Sequence, residues 1–302
     1  MHTKSHEITI CSLKNWSTLS EFLTSFNISK NQQKKYLSKK QLLQKIFQGK
    51  EIFLPIDLFN TNMVSPVYVG PLITVIQETD FFIAISKPVK THSLPLTYSD
   101  QNNLLAFVRG RENSSEIFNI NKESYEKGLL FRLDFETSGL ILMAKTDQFF
   151  HAFREKIEKR KFYLAVVQGE VQDDFSYAHH VYYTGEKGAI GRTKNGSPKN
   201  SHLEGKKVVY NEQKNLSLVM IKLDEGLRHQ IRIQLSAEGT PILGDPIYGR
   251  ECDGRMYLHS FCYQFEYEKR KFSITDENIT DLESILNVHG ILKMAHQALL
   301  SF

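Results

Sequence analysis

Three short stretches of this sequence carry side chains able to do chemistry. In Phe131-Arg132-Leu133-Asp134-Phe135-Glu136-Thr137-Ser138-Gly139, a carboxylate, Asp134, stands between Arg132 and Glu136. A carboxylate has a reference pKa of about 4, so it is an ionised oxygen nucleophile at neutral pH without a helper base. Burial would protonate it unless a cation lay close by. The stretch from Gly226 to Gly249 offers such cations in Arg228, His229 and Arg232. There Ile231, Ile233 and Leu235 alternate as in a strand, but Ala237-Glu238 before Gly239 reads as a helix ending. We therefore expect a helix over His229 to Glu238, with Arg228 and Arg232 four residues apart on one face toward an anion. The third stretch, Lys161-Phe162-Tyr163-Leu164-Ala165, holds Tyr163. Its ring could stack on a planar base, although taken alone it is an ordinary core tyrosine.

Other chemistries leave no trace in the sequence. There is no Walker loop and no Gly-x-Gly-x-x-Gly opening a helix, and the adjacent pair His179-His180 lacks further ligands at metal-binding spacing. Neither a metal nor a cofactor is expected. Cys11, Cys252 and Cys262 are odd in number and form no Cys-x-x-Cys pair, which fits a reducing cytoplasm. No apolar run approaches the length of a membrane span, and the first residues do not resemble a secretory leader. The net charge of +4 is a weak sign of a polyanionic partner.

These residues need a scaffold, and the sequence predicts an α+β one. Apolar runs at Phe81 to Ile85, Leu140 to Met143, Phe162 to Val167 and Leu216 to Ile221 read as buried strands. Phe149, Phe150, Phe153 and Ile157 recur at helical spacing behind Asp147, a candidate N-cap. Residues 183 to 206, rich in glycine and lysine, read as a long polar loop or hairpin, and the segment after Thr275 reads as closing helices. Ahead of all this, residues 18 to 48 read as two amphipathic helices coated with lysines and stopped by Gly49. Prolines and turn formers between Leu54 and Pro71 place a boundary near residue 70, giving a small helical module over 1–70 and a second domain over 71–302.

Read in order, the second domain resembles the RluA-type family of pseudouridine synthases. The resemblance rests on Ile83-Ala84-Ile85-Ser86-Lys87-Pro88, on Phe131 to Gly139, on Lys161 to Ala165, and on Gly226 to Gly249 followed by Leu258-His259. It implies an α+β domain with a mixed, mostly antiparallel sheet, and an RNA-modifying isomerase that needs no cofactor. It further implies Asp134 as nucleophile, Arg232 as its ion-pair partner and Tyr163 against the target base. Arg132 would enter the space a flipped uridine leaves, with Arg228 and His229 also toward RNA. The implied partner is ribosomal or transfer RNA, not DNA or a membrane, for a monomer working in the cytoplasm. The N-terminal module resembles a degenerate form of the family's small RNA-binding domain, without the usual Val-Asn-Gly signature. Phe131 replaces the customary histidine, and Gly226-Leu227-Arg228-His229 replaces Gly-Arg-Thr-His. Two other readings compete: a non-catalytic RNA-binding or ribosome-assembly factor, and a glycosidase, for which Glu136 is the only acid near Asp134 in sequence. Intact Asp134, Tyr163 and Arg232 argue against the first of these.

Overall fold

The computed structural model describes residues 7–26, 28–59, 64–112, 114–121, 126–184, 187–190, 199–223, 226–249 and 254–302. Cys252 and the glycine-rich residues 191–198 lie outside them. The chain forms two compact units. The first takes Met1–Gly70 together with Leu94–Ser114 and Lys122–Glu126; the second takes Pro71–Ser93, Ser115–Asn121 and Lys127–Phe302. The stretch read from sequence as one second domain thus gives two of its segments to the first unit.

The first unit is not purely helical. Strand β1 (Glu7–Cys11) pairs antiparallel with β2 (Glu51–Pro55), and three short helices lie between them, α1 (Leu19–Thr24), α2 (Lys30–Tyr36) and α3 (Lys39–Leu42). The expected second helix is broken in two by serine. Leu37 is extended, and Ser38 starts α3 with a capping box, its hydroxyl accepting from the Gln41 N–H while the Gln41 side chain accepts from the Ser38 N–H. Gly49, with φ +77°, does not stop a helix; it lies in the turn before β2, after the Trp16–Ile46 bridge. Leu19, Phe22, Leu23, Leu42, Ile46, Ile52, Leu54 and Leu58 form this unit's core. Helix α4 (Leu104–Arg109), capped by Asn103, also belongs to it.

The second unit is built on one sheet. Its strands are β3 (Thr74–Glu78), β4 (Phe82–Lys87), β5 (Ser138–Ala144), β6 (Lys159–Gln168), β7 (Asp174–Thr184), β8 (Lys187–Ile190), β9 (Lys199–Asn211), β10 (Leu216–Leu223), β11 (Leu258–Tyr267) and β12 (Arg270–Thr275). Their order is β3-β4-β5-β11-β6-β10-β9-β7-β8, with β12 also on β11. Every pairing is antiparallel except β5 with β11. The four apolar runs read as strands lie on β4, β5, β6 and β10, and of the expected polar loop or hairpin the described part is a hairpin, the end of β7 paired with β8, followed by the start of β9.

Helix α5 (Ser115–Asn119) precedes β5, and α6 (Asp147–Glu155) sets Phe149, Phe150 and Phe153 against Phe82, Tyr263, Phe265 and Tyr267. Its N-cap is Thr146, whose hydroxyl accepts from the Phe149 N–H at 3.2 Å; Asp147 is the first helical residue, not the cap. On another part of the sheet, α8 (Thr280–Leu286) and α9 (Ile291–Leu300) bury Leu282, Leu286, Ile291 and Ala295 against β6, β10 and β11. Helix α7 (Gln230–Ala237) completes the unit. The architecture is the α+β, mostly antiparallel one expected from the sequence.

The parallel junction decides where the Asp134 loop leaves the sheet. Ser138 and Gly139 pair with His259 and Ser260. Gly139 has φ +110°, and a Cβ there would stand 2.3 Å from the Ser260 carbonyl oxygen and 2.6 Å from its nitrogen. Only glycine tolerates both the backbone conformation and the approach. Gly139→Ala should lower unfolding free energy by about 2–4 kcal/mol, measured as a shift in the urea midpoint; an unchanged midpoint would show that the strand junction can yield.

Candidate active site

Asp134 sits in the irregular segment between the Leu129–Met143 bridge and β5. The Thr137 N–H donates to the Asp134 carbonyl at 3.2 Å and closes a turn. Both sequence neighbours of Asp134 are held by the segment that follows β4. The Ser93 hydroxyl accepts from the Leu133 N–H at 3.1 Å and donates to the Leu133 carbonyl at 2.8 Å, and the Lys90 N–H donates to the Phe135 carbonyl at 2.8 Å. That segment is anchored in turn by Lys87, fully buried, whose ammonium donates to the carbonyls of Thr91 at 2.8 Å and Pro88 at 3.0 Å. Burial draws the Lys87 pKa down to about 7, against the opposing charges of Asp134 and Glu136.

Helix α7 brings the cation. Gln230 and Gln234, four residues apart and therefore on one face, donate to the His202 carbonyl at 2.8 Å and the Tyr177 carbonyl at 3.1 Å, which ties the helix to β9 and β7. Arg232, two residues from each, points away from that face. Its side chain is 1% exposed. Nε and Nη2 form a fork onto the two carboxylate oxygens of Asp245, both at 2.8 Å, and Nη1 donates to Asp134 Oδ2 at 2.9 Å. Glu136 Oε2 lies 3.7 Å from the same Nη1. Burial by itself would lower the Arg232 pKa, but hydrogen bonds and charge from Asp245, then Asp134, drive it above its ordinary value. Asp245 is fully buried, and burial would raise its carboxyl; Arg232 and the N–H groups of Ile247 and Tyr248 bring it below the usual range.

The remaining candidates fall into two groups. His229 precedes α7 in the left-handed region, φ 55°, with Nε2 3.7 Å from Asp134 Oδ2 and Nδ1 3.0 Å from the Tyr248 hydroxyl. Burial lowers its pKa despite Asp134, which favours the neutral ring. Tyr163, on β6, is 8% exposed, and burial holds its hydroxyl well above the ordinary phenol range, with Tyr263 and Asp134 adding to the shift. The phenol is therefore protonated at neutral pH. Arg132 and Arg228 are exposed.

One expectation is corrected here: Arg228 and Arg232 do not share a helical face, because the left-handed His229 starts the helix after Arg228. Two residues escaped the sequence reading, Asp245 and Lys87, although both lie inside the quoted blocks. The available signal was a charged residue in an apolar setting, Ile242-Leu243-Gly244-Asp245 and Ile83-Ala84-Ile85-Ser86-Lys87. Phe131, the departure from the family pattern, packs on Phe153 and lies under the Lys161 ammonium, 4.4 Å from the ring centre.

The family model described as RNA pseudouridylate synthase matches residues 82–237, just over half of the chain and spanning Asp134, Tyr163 and Arg232. The chain belongs to the RNA pseudouridylate synthase family. Its relatives include a ribosomal large subunit pseudouridine synthase D of Borreliella burgdorferi, 26% identical over 77% of this chain and 73% of the relative. A ribosomal large subunit pseudouridine synthase C of Rickettsia bellii is 29% identical over 72% and 75%. Among solved structures, human RNA pseudouridylate synthase domain containing 1 superposes with a TM-score of 0.54 at 19% identity, over 69% of this chain and 84% of the human one, a likeness of fold. The enzyme is thus an RNA pseudouridine synthase, an isomerase of uridine in RNA.

Asp245→Asn leaves Arg232 buried with half its compensation, and should cost about 3–5 kcal/mol of stability at neutral pH. Because the folded carboxyl titrates below its unfolded value, its contribution is complete above the ordinary carboxylate range and is lost as pH falls through the depressed folded value. Urea unfolding of the two proteins should therefore differ at neutral pH and converge in acid; a gap independent of pH would place the cost elsewhere.

Proposed function

We propose that Asp134 is the nucleophile of this synthase, that Arg232 keeps it ionised and oriented, and that Tyr163 packs against the flipped uridine. The observation that carries this reading is the 2.9 Å hydrogen bond from Arg232 to Asp134, given by a guanidinium whose other edge is already taken by Asp245. Asp134 is the more exposed end of that chain, at 27% against 0% for Asp245, so it is the carboxylate a substrate can reach. Isomerisation breaks the bond between the ribose and the ring nitrogen, turns the base and rejoins it through carbon 5; the hydrogen on carbon 5 leaves as a proton and the freed ring nitrogen takes one up, so the composition is unchanged. The first step calls for an ionised oxygen fixed in place. Tyr163, protonated at neutral pH, presents its ring to the base, and His229 Nε2 lies 3.7 Å from the same carboxylate.

Extracting a uridine from folded RNA costs a few kcal/mol in lost stacking. Exposed Arg132, two residues before Asp134, is our candidate for the vacated space, with exposed Arg228 on phosphate. The substrate class is structured ribosomal or transfer RNA, and the names of the relatives favour the large-subunit ribosomal RNA. The proposed substrate is RNA and not DNA, and the proposed working form is a cytoplasmic monomer. Among the described residues no helix is long and apolar enough to cross a membrane. Residues 1–70 hold nine lysines against four acidic residues while the rest of the chain carries 29 basic and 30 acidic ones, which supports phosphate docking by the N-terminal unit.

RNA carrying tritium at carbon 5 of uridine should release label when treated with the wild-type protein, and Asp134→Ala should slow single-turnover release at least about a thousandfold. Equal release by both proteins would remove Asp134 from the chemistry.

A further inference from the structure

Beside the nucleophile stands an aromatic pair that the reaction as described does not use. His92 and Phe135 lie with ring centres 4.4 Å apart and planes inclined by 32°. Both are half-buried, neither in the core nor free on the surface. Phe135 follows Asp134 directly in the chain, and its carbonyl accepts from the Lys90 N–H at 2.8 Å. To make that bond Lys90 adopts φ 56°, a left-handed conformation costly for a lysine. The flanking residues are fixed as well: Ser93 clamps Leu133, and Thr91, fully buried, has its carbonyl held by Lys87. The ring of Phe135 is thus fixed from two directions, by its backbone and by the imidazole of His92. Core packing explains little of this, since neither ring belongs to the aromatic cluster around Phe149 and Phe265.

We infer that His92 and Phe135 form a stacking shelf for a nucleobase, the one adjoining the uridine taken by Asp134. The inference rests on the proposed role of Asp134. An aromatic pair one residue from the group that acts on a flipped base is near enough to meet the next base of an opened strand. Proteins hold unpaired bases by stacking them on such rings, with little dependence on base identity. Flipping leaves the neighbouring base without one stacking partner, and a preformed ring replaces it without an ordering cost at the time of binding. The shelf would therefore act on RNA affinity and on the choice among uridines, not on the bond-breaking step.

The test uses an RNA hairpin with an all-uridine loop, and copies in which one loop position at a time is abasic. Affinities are measured for the wild-type protein, Phe135→Leu and Phe135→Trp. Stacking of one base is worth roughly five- to a hundredfold in affinity. Two abasic positions should weaken wild-type binding: the base that is flipped and the one on the shelf. Phe135→Leu should weaken binding to the intact hairpin by a factor within that range and abolish the penalty at the shelf position while keeping the penalty at the flipped one. Phe135→Trp should bind at least as tightly as wild type, and thermal unfolding should show both variants folded at the temperature of the binding measurement. Penalties in Phe135→Leu that equal those of wild type at every position would overturn the shelf, as would unaltered affinity for the intact hairpin. Because the readout is affinity, a failure of tritium release would sink the role of Asp134 while leaving the shelf to be decided by these couplings.

Discussion

One guanidinium organises the catalytic unit. Arg232 is buried to 1% and shared by two carboxylates, a fork onto Asp245 and a single bond onto Asp134. A charge in that position is tolerated because two carboxylates balance it and each of its three nitrogens donates to one of them. The arrangement is asymmetric in exposure as well as geometry: Asp245 is sealed, and Asp134 opens outward. The sealed carboxylate balances the buried cation, and the open one is oriented by it, so that on the proposed reading of Asp134 the cost of ordering the reactive group falls on folding and not on catalysis.

The rest of the unit keeps the two ends of this chain in register. On one side, α7 is fixed to β7 and β9 by Gln230 and Gln234, which leaves Arg232 no choice of direction. On the other, the Asp134 segment is fixed by the parallel junction of β5 with β11 through Gly139, and by Ser93 and Lys90 on either side of Asp134. Buried Lys87 secures that second support through two carbonyls. These buried polar contacts brace one loop, and the apolar clusters on α6, α8 and α9 support the sheet that carries them.

How much of this could be read from the sequence depends on the range of the interaction. Strands β4, β5, β6 and β10 are nearly unbroken apolar runs, and α7 announces its end at Gly239, so local pattern sufficed. Helix starts were less legible: a hydroxyl cap at Thr146 was mistaken for the acid after it, and Ser38 cut a helix that periodicity alone would have continued. The sharing of Arg232 between Asp134, 98 positions away, and Asp245, 13 away, has no local signature. Asp134 and Arg232 can be paired only through the family resemblance, and nothing in the local pattern around Asp245 marks it as their third member. The bond between Ser93 and Leu133 spans 40 residues and was equally invisible. The left-handed turn at His229, which separates Arg228 from the helix, depends on a single backbone torsion that no side-chain pattern reports.

On the proposed mechanism Arg232 acts through its forked geometry and not merely through its charge. Arg232→Lys keeps the charge but cannot bond Asp245 at two points while reaching Asp134. Single-turnover release of tritium from carbon 5 of uridine, measured on folded Arg232→Lys protein, should fall at least about a hundredfold with RNA affinity little changed. Release at the wild-type rate would contradict the claim that this guanidinium positions the nucleophile.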